Sequence, residues 1–480
     1  MGNPPGFPSE AAFPRLLLPP SVEVVSEPLQ TSGLSTTQEK EGLELQDTGQ
    51  LTRGMRRRAA KMARRAEMVT LHTLIAGVDV AMAKSTVVFM RASDKAPLGQ
   101  LTIPTSAEGL SKLVHHANRL KDSFRLSRLV VAMEPCADWR ILARATLALD
   151  VPTVFVQSFA LARSREIDDL TRDKNDFRDA RLIADLAAER KFIDMQPPTG
   201  VWAELRPLAE ARMDRQGERN AALQEQRAFL RLIWPGLLAT VRDLDGSHVQ
   251  AALRLGLTPM QIAAMPVLEF TERVRQEHKL RFIRSMARRI WEASQLATTC
   301  DELATATLRI RLAGQRVQAA EAAITEIDQT MLARFADTGL SQLGGQIRGL
   351  SDVLLLNLLA LIGDPRQYDS ARCLPKLAGS NPTERSSGQT QRPGGIHRRG
   401  RPSLRVLAYR AAVGLVMHNA DFRARFQALT QRKQNKLCKK AAYMAIANKL
   451  LRTLWHMAVT DQAYDSAIAC GERRPDVVAA

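Results

Sequence analysis

The sequence predicts a mixed α/β domain followed by a mostly helical remainder, and three observations lead to this fold class. Short apolar runs, each of strand length, lie close together between residues 71 and 156. The first three runs follow one another at hairpin spacing, whereas helical patterns separate the later ones. Beyond residue 200 the apolar residues recur at helical spacing. We therefore expect one mixed sheet near the start of the chain and helices after it.

The predicted sheet is built from strands and helices in a definite order. The apolar runs are LIAGVDVA (74–81), TVVFM (86–90), GQLTI (99–103), LVVAM (129–133) and TVFV (153–156). One helical pattern, SAEGLSKLVHHANRL, precedes the fourth run, and another, DWRILARATLAL, follows it. Three strands at hairpin spacing, followed by alternating helices and strands, match the ribonuclease-H-like architecture. We expect this domain to cover residues 71–200.

Residues 1–70 are predicted to form an arm ahead of the sheet. The first part, to about residue 52, is rich in Pro, Ser, Gly and Thr and has little periodicity, which is typical of disorder. The stretch RGMRRRAAKMARRAE (53–67) then adds seven basic residues. An arm that contacts nucleic acid and a solvated run of charge are both open interpretations of this stretch.

Residues 201–340 are predicted to be helical, with a coiled-coil segment near their end. Apolar residues recur every seven positions at Leu303, Ile310, Val317, Ile324 and Met331, and a second set follows at Ala306, Ala313, Ala320 and Ile327. This seam, with small residues in its second set, predicts a close-packed antiparallel helix pair or a coiled-coil dimer arm. A helix within a globular bundle is the alternative.

Residues 341–460 are predicted to form a second, mostly helical domain. The apolar run LLLNLLALIG (354–363) is shorter than the roughly 20 residues that cross a bilayer, and it predicts a core helix. The stretch 377–405 is rich in Gly, Pro, Ser and Arg, which is typical of a loop. Helical patterns resume near Leu404 and end near His456. Residues 461–480 are expected to be a loose tail.

The chain is strongly basic, and its charge is concentrated towards the C-terminus. The formal net charge is +18 and the pI is about 10.2, which favours a polyanionic partner. Between Arg372 and Trp455 there are 18 Lys and Arg residues against two acids, Glu384 and Asp421. No amphipathic helix with aromatic anchors stands out in this region, so the expected partner is nucleic acid rather than a membrane.

Cysteine usage and hydropathy indicate the compartment. The five cysteines lack the spacing of a zinc module or a disulfide framework. No apolar run approaches the length of a membrane span. We therefore expect a protein of a reducing cytoplasm.

Four acids lie at positions where carboxylates can gather. Asp79 interrupts an apolar strand, and Glu134 closes another at its C-terminal end, where α/β sheets place ligands. Asp176 and Asp179, in KNDFRDARLIADL (174–186), share one face of a predicted helix. Together they predict a Mg²⁺ site for phosphoryl transfer. Singly, each has another explanation: a helix start for the aspartate pair, a hairpin cap for Asp79, and an ion pair with a nearby arginine for Glu134.

The motifs GVDVAMAK, VVAMEP and KNDFRDARLIA are followed by LAGSNPTERSSGQTQRPGGIHRRGRPSLRVLAYRAA. In this order they resemble the insertion-sequence transposases with a RuvC-like DEDD domain, the group related to the Piv DNA invertase. The resemblance covers about residues 71–460 and implies a RuvC-like catalytic domain over 71–200 and a C-terminal transposase domain over 341–460. It also implies that Mg²⁺ is held by the four acids at positions 79, 134, 176 and 179.

The resemblance further implies a serine that attacks DNA covalently, and this role carries over to Ser387 in ERSSG. Ser386 beside it leaves the assignment open by one residue. The arginines expected to contact nucleic acid and to neutralise developing charge are Arg385, Arg392, Arg398, Arg399, Arg401 and Arg405. Asn175 stands where the family usually has Thr, and IRGLS (347–351) replaces the family's Gly-rich hairpin. The family also implies a guide RNA encoded by the element (a bridge RNA), and we expect a homodimer or homotetramer.

Three functional hypotheses follow. The first is a transposase or DNA recombinase that cleaves and rejoins the strands of a mobile element with Mg²⁺ and a covalent serine–DNA intermediate. The second is a RuvC-like, metal-dependent, structure-selective nuclease with water as the nucleophile. The third is a catalytically inactive nucleic-acid-binding protein. Activity separates the third from the others, and a covalent adduct separates the first two.

Overall fold

The computed structural model describes residues 53–135, 138–169, 175–193, 197–278, 284–297, 299–387 and 390–466. The chain divides into two compact units, Met1–Asp194 and Met195–Ala480. The first unit contains a mixed sheet with helices, and the second is mostly helical. This division agrees with the α/β-then-helical order that the hydropathy pattern predicts.

The sheet of the first unit has mixed strand directions. Its strands are β1 (Thr73–Asp79), β2 (Lys84–Arg91), β3 (Pro97–Pro104), β4 (Arg128–Met133) and β5 (Thr153–Phe155). They lie in the order β3-β2-β1-β4-β5, with β1–β2 and β2–β3 antiparallel and β1–β4 and β4–β5 parallel. Strand β1 is central and buried on both faces, which explains its continuous apolar sequence. The predicted mixed sheet is confirmed.

Five helices accompany this sheet among the described residues: α1 (Arg53–Met68), α2 (Ala107–Phe124), α3 (Trp139–Ala148), α4 (Ser158–Asp169) and α5 (Asp176–Ala188). Helix α5 packs against β1 at very short range. A Cβ atom added to Gly77 would lie 2.2 Å from the carbonyl oxygen of Ala180. Glycine at this position therefore lets the helix backbone lie directly on the central strand.

The predicted N-terminal arm is only partly covered by the structure. Residues 1–52 lie outside the described residues. The whole basic stretch 53–67 lies in helix α1, and the end of α1 contacts the rest of the first unit. Arg65 donates hydrogen bonds to the carbonyl oxygens of Arg190 and Phe192 and stacks its guanidinium over the Phe192 ring. At least this one basic residue has a structural role.

The second unit contains a long antiparallel helix pair, α6 (Val201–Ile233) and α12 (Leu303–Ala333). Ala222 of α6 packs against Ala313 and Val317 of α12 in one buried cluster. Six of the nine residues of the predicted seam are buried, namely Ala306, Ile310, Ala313, Val317, Ala320 and Met331. Of the arrangements that the heptads predict, the structure therefore shows the antiparallel pair, formed within one chain.

Ion pairs fix the register of the same two helices. Arg212 binds Asp328 through two nitrogen–oxygen contacts of 2.6 and 3.0 Å. Further along the pair, Arg219 contacts Glu321 at 2.8 Å. The partner numbers fall as the α6 numbers rise, as antiparallel packing requires.

Helices α7 (Pro235–Thr240), α8 (Ser247–Arg254), α9 (Pro259–Ala264), α10 (Val267–His278) and α11 (Arg284–Ser294) connect α6 to α12. Together with one end of α6 and one end of α12 they enclose a core that includes Trp234, Phe270 and Ile290. The Trp234 indole nitrogen donates to the carbonyl oxygen of Ala293 at 3.2 Å, so the buried ring has its hydrogen-bond partner.

The C-terminal part of the second unit forms around a buried apolar helix. Its helices are α13 (Asp352–Ile362), α14 (Cys373–Leu377), α15 (Pro402–His418), α16 (Ala420–Gln431) and α17 (Lys439–Thr460). Helix α13 is buried from Leu355 to Ile362, as expected for a core helix. Among the described helices, none combines the length and apolar character of a bilayer-spanning segment.

The stretch predicted to be a loop contains a β-hairpin. Strands β6 (Pro382–Ser387) and β7 (Thr390–Ile396) pair in antiparallel fashion, with a register irregularity between Pro382 and Glu384. The loop prediction rested on Gly and Pro, which usually interrupt strands, and it was wrong. In a two-stranded ribbon each strand is an edge strand, and an edge strand tolerates a proline such as Pro393.

We expect Gly77→Ala to destabilise the first unit by about 1–3 kcal/mol, because the added methyl overlaps the α5 backbone. Urea unfolding followed by circular dichroism measures the effect. Gly217→Ala is the matched control, since no atom lies within 4 Å of a Cβ at this helical position. Its stability should be unchanged or higher by up to about 1 kcal/mol. Equal unfolding midpoints for both variants would contradict the close packing of α5 on β1.

Candidate functional site

Two of the predicted acids lie side by side at one edge of the sheet. Asp79 is the last residue of β1, and Glu134 directly follows β4. The two strands are parallel neighbours, and Val78 pairs with Met133, so the acids occupy the next position on each strand. Both acids are half-buried. The strand register therefore brings together two residues that are 55 positions apart in the sequence.

The same register sets the direction of Asp79. Side chains two residues apart on a strand point to the same face, so Asp79 shares the face of Gly77 and Ile75. This face is covered by α5: Ile75 shares a buried cluster with Ile183 and Val130. Helix α5 begins with Asp176, and the other two predicted acids thus belong to the element that lies over Asp79 and Gly77.

The first turn of α5 is capped in the usual way. The Asn175 side-chain oxygen accepts a hydrogen bond from the Phe177 backbone nitrogen at 2.9 Å. Asn is a good N-cap residue, so the departure from the family's Thr preserves the helix start. Asp176 is exposed and Asp179 is fully buried. Both stand where the positive end of the helix dipole favours negative charge.

The buried carboxylate of Asp179 has a cationic partner, Arg165 of α4. The Arg165 Nε and Nη2 atoms lie 2.5 and 2.8 Å from the two carboxylate oxygens, which is a bidentate ion pair. A fully buried charge needs such a partner, because desolvation otherwise costs several kcal/mol. The sequence analysis missed Arg165, since no spacing rule links it to a residue 14 positions later on another helix.

The predicted cradle of four carboxylates is not assembled among the described residues. No group of three or more His, Cys, Asp or Glu side chains gathers around one point in that part of the chain. Asp79 and Glu134 share an edge of the sheet, but Arg165 engages both oxygens of Asp179. The donor set fits a hard divalent cation in its chemistry, since all four side chains offer oxygen. For Asp179 to join it, the pair with Arg165 must open.

A groove of about 440 Å³ lies beside the start of α5. It is lined by Val88, Pro97, Gly99, Gln100, Phe177, Arg178 and Arg181. Its arginines are not free cations, because Asp168 of α4 contacts Arg178 at 3.4 Å and Arg181 at 2.6 Å. The ion pairs between α4 and α5 therefore neutralise much of the charge near the acids.

The predicted nucleophile lies on the hairpin of the second unit. Ser387 ends β6 and pairs with Thr390, and Ser386 pairs with Gln391. Arg385 and Arg392 form another pair of this ladder. The side chains of residues 384–394 lie outside the described part, so the structure places these residues by their backbone alone.

The base of the hairpin is anchored to α17 by a buried amide. The Asn448 side-chain nitrogen donates to the Ser380 carbonyl oxygen at 3.0 Å, and the Asn448 side-chain oxygen contacts the Ser380 hydroxyl. The adjacent Gly379 has a φ of +66°, and a Cβ there would lie 2.9 Å from the Arg399 carbonyl group. These contacts therefore fix the position of the hairpin base, where the two strands leave the helical core.

Two of the predicted nucleic-acid-binding arginines make hydrogen bonds within the fold. Arg401 donates to the carbonyl oxygens of Leu361 and Ile362, at the end of α13. Burial, with the positive charge of Arg206 nearby, lowers the pKa of the Arg401 guanidinium to about 10. Arg405 donates to the carbonyl oxygen of Ala378 at 2.8 Å. By contrast, Arg398 and Arg399 are exposed.

Comparison with known proteins now adds to this geometry. A family model described as a transposase, of the DEDD type of IS110, matches residues 76–235. A second model, described as the transposase IS116/IS110/IS902 family, matches residues 343–427. These two matches assign the chain to the IS116/IS110/IS902 family of transposases. The first match includes the four predicted acids, and the second includes the hairpin.

Curated relatives agree with the family models. The chain is 26% identical to a "Probable family 20 transposase" of Pseudomonas aeruginosa over 359 residues, which cover 72% of this chain and 89% of that protein. It is also 26% identical to the "Insertion element IS116 uncharacterized 44.8 kDa protein" of Streptomyces clavuligerus, over 59% of this chain and 71% of that protein. The similarity therefore extends along both units.

Arg165→Gln should destabilise the first unit by about 3–5 kcal/mol, because it leaves the Asp179 carboxylate buried without a partner. Arg163→Gln, on the same helix, is the matched control. The Arg163–Glu166 pair is exposed, and such pairs contribute at most about 1 kcal/mol. Urea midpoints of both variants measure the difference. If both variants unfold like the parent chain, the Arg165–Asp179 pair does not support the fold.

Asn448→Ala should loosen the hairpin, because the carbonyl oxygen of buried Ser380 loses the Asn448 amide that donates to it, at a cost of about 1–3 kcal/mol. Hydrogen exchange of the β6 and β7 amides should accelerate relative to those of α13. Asn435→Ala, at an exposed site on the same unit, should leave hairpin exchange unchanged. Unchanged exchange in Asn448→Ala would show that the amide does not hold the hairpin.

Proposed function

We propose that the chain is a transposase that cleaves and rejoins DNA strands of a mobile element by metal-dependent phosphoryl transfer. The observation that carries this proposal is the placement of Asp79 and Glu134 at the ends of adjacent parallel strands, within the part of the chain that matches a DEDD transposase. The strand order β3-β2-β1-β4-β5 supports a ribonuclease-H-like fold for the same part. We also propose that residues 201–340 form a helical region and that residues 341–460 form a C-terminal transposase domain.

Mg²⁺ is the proposed cofactor. Asp79, Glu134 and Asp176 would hold it through carboxylate oxygens, and Asp179 would join them once Arg165 has released it. When bound, the cation lowers the pKa of an attacking hydroxyl and neutralises charge on the phosphate. The protein's own contribution is to fix two carboxylates by strand register and two by the first turn of α5.

The proposed nucleophile is Ser387, with Ser386 as the alternative. Its hydroxyl oxygen would form an ester bond to the scissile phosphorus while the bond between that phosphorus and a deoxyribose oxygen breaks. The hydroxyl proton passes to a base, and the departing sugar oxygen takes up a proton. Rejoining reverses these steps with the new strand end, so no external energy source is required. Among the predicted arginines, Arg398 and Arg399 are exposed at the hairpin base and would neutralise phosphate charge.

A guide RNA encoded by the element and assembly into a dimer or tetramer are further parts of the proposal. The net charge of +18 supports a second nucleic acid partner in addition to DNA. Several strands are cut in one transposition event, which favours more than one active site per complex. DNA as the partner follows from the transposase family.

One observation favours the third hypothesis, a nucleic-acid-binding protein without catalysis. Within the described residues, no three of the acids gather around one point, and Arg165 forms an ion pair with Asp179. The nuclease hypothesis shares the acid site with the transposase and differs only in using water instead of a serine. A single experiment separates all three.

The experiment incubates purified protein with labelled DNA of the element ends, Mg²⁺ and the flanking transcribed RNA, and separates products on a denaturing gel. The variants are Ser387→Ala, Ser386→Ala and Asp79→Asn, with Asp94→Asn as the control at an exposed acid. We expect a protein-linked DNA band that Ser387→Ala and Asp79→Asn abolish and the other two variants retain. Free nicked DNA that depends on Asp79 alone would establish a nuclease. No cleavage by any protein would favour a binding protein.

A further inference from the structure

The connection between α16 and α17 displays a dense group of cations. We define the lysine loop as residues 432–440. Its basic residues are all exposed and are Arg432, Lys433, Lys436, Lys439 and Lys440. The loop contains no Asp, Glu or aromatic residue. It lies outside the set of arginines that the sequence motifs suggest as nucleic-acid contacts.

The lysine loop has a defined shape. The Leu437 backbone nitrogen donates to the carbonyl oxygen of Leu429 at 3.1 Å, which closes the turn after α16. Inside the turn, the Arg432 Nε atom donates to the Asn435 carbonyl oxygen. Asn435 has a φ of +53°, a left-handed conformation that Asn adopts more readily than most residues. Lys433 and Lys436 are therefore presented by a folded turn, and Lys439 and Lys440 by the first turn of α17.

Stability of the fold does not account for these lysines. In the described part of the chain, no salt bridge joins Lys433, Lys436, Lys439 or Lys440 to an acid. From Phe422 to Thr460 the sequence has nine Lys and Arg residues and no acid. Lys439 and Lys440 also occupy the first turn of α17, where the helix dipole disfavours positive charge.

Three exposed arginines on α10 and α11 are paired with acids. On α10, Arg273 contacts Glu269 at 2.7 Å and Arg275 contacts Glu272 at 3.4 Å. On α11, Arg288 contacts Glu292 at 3.1 Å. The lysine loop thus differs from a surface whose charges balance within each helix.

Further along α17, positive charge is again in excess. Burial and repulsion by the positive charges of Arg372 and Arg425 lower the pKa of Arg452. Arg372 and Arg425 come from two other segments, and each lies close enough to lower the pKa of Arg452. A polyanion near this part of the unit would relieve a repulsion that the fold tolerates.

We propose that Lys433, Lys436, Lys439 and Lys440 form a docking site for the phosphate backbone of duplex DNA. This proposal rests on DNA being the partner, as in the proposed function. Lysines act as point charges on phosphates and carry little base information. Without an aromatic residue, the loop lacks a platform for stacking the unpaired bases through which RNA is usually recognised. The site therefore binds independently of sequence and positions duplex DNA on the second unit.

The salt dependence of binding tests the proposal. Changing all four lysines to Gln lowers the net charge from +18 to +14. The slope of log K against log salt should fall by about 0.9 for each lost phosphate contact, or about 3 to 4 in total. The matched control changes four acid-paired arginines to Gln: Arg163, Arg273, Arg275 and Arg288. It removes the same formal charge and should change the slope by less than about 1.

The measurement uses full-length Asp79→Asn protein, so that binding is observed whether or not the chain cleaves DNA. An equal loss of slope in both quadruple variants would show only a net-charge effect and would overturn the site. A loss confined to an RNA duplex of the same length would also overturn it, in favour of RNA. Failure of cleavage by the parent chain would leave this result unaffected, so the two proposals fail separately.

Cys438 provides an independent readout inside the lysine loop, because it is exposed. Duplex DNA should slow alkylation of Cys438, as measured by peptide mass spectrometry, and should leave alkylation of the half-buried Cys300 unchanged. The quadruple lysine variant should lose this protection. Alkylation of Cys438 at the same rate with and without DNA would overturn the proposed docking site.

Discussion

The position of the acids on α5 relative to those at the strand ends depends on the contact between Gly77 and the backbone of α5. This contact leaves no room for a side chain, since a Cβ atom would come within 2.2 Å of the Ala180 carbonyl oxygen. It sets the helix directly on the central strand, next to Asp179 and one turn after Asp176. Packing decides both the register of β1 and β4 and the short distance between β1 and α5. Together these bring residues from three elements to one part of the first unit.

Charge balance around Asp179 is the second constraint. A carboxylate without solvent exposure must have a counter-charge, and Arg165 supplies one with two short hydrogen bonds. Any divalent cation at the same carboxylate competes with that guanidinium. The energy of the acid site is therefore coupled to α4, an element that carries no family motif. In the proposed function, rearrangement of α4 would therefore change the affinity of the acids for Mg²⁺.

In the second unit, arginines and lysines have different uses. Arg401 and Arg405 donate hydrogen bonds to backbone carbonyl groups at the ends of helices, so their guanidinium groups are engaged within the fold. The lysines between α16 and α17 remain exposed and make no ion pair with an acid in the described residues. A count of basic residues along this region overstates its binding capacity, because it adds structural arginines to exposed lysines. The two groups differ in burial, because Arg401 and Arg405 are half-buried whereas the lysines are exposed.

The sequence by itself determined the elements whose patterns are local. Apolar runs of strand length predicted β1, β2, β3, β4 and β5, and the seven-residue repeat of α12 predicted its close packing against another helix. It also placed Glu134 at the end of a strand, whereas it placed Asp79 inside the predicted run 74–81, and the structure ends β1 at Asp79. These features follow from hydrophobic burial along one segment, which periodicity records directly.

Only the tertiary structure decided which distant groups meet. It paired α12 with α6 of the same chain, joined Arg165 to Asp179, and buried Arg401 at the end of α13. It also formed a hairpin from a segment rich in Gly and Pro, because pairing across two edge strands offsets weak local propensity. Such contacts join residues far apart in the chain, and their energy depends on desolvation and geometry that no local pattern contains.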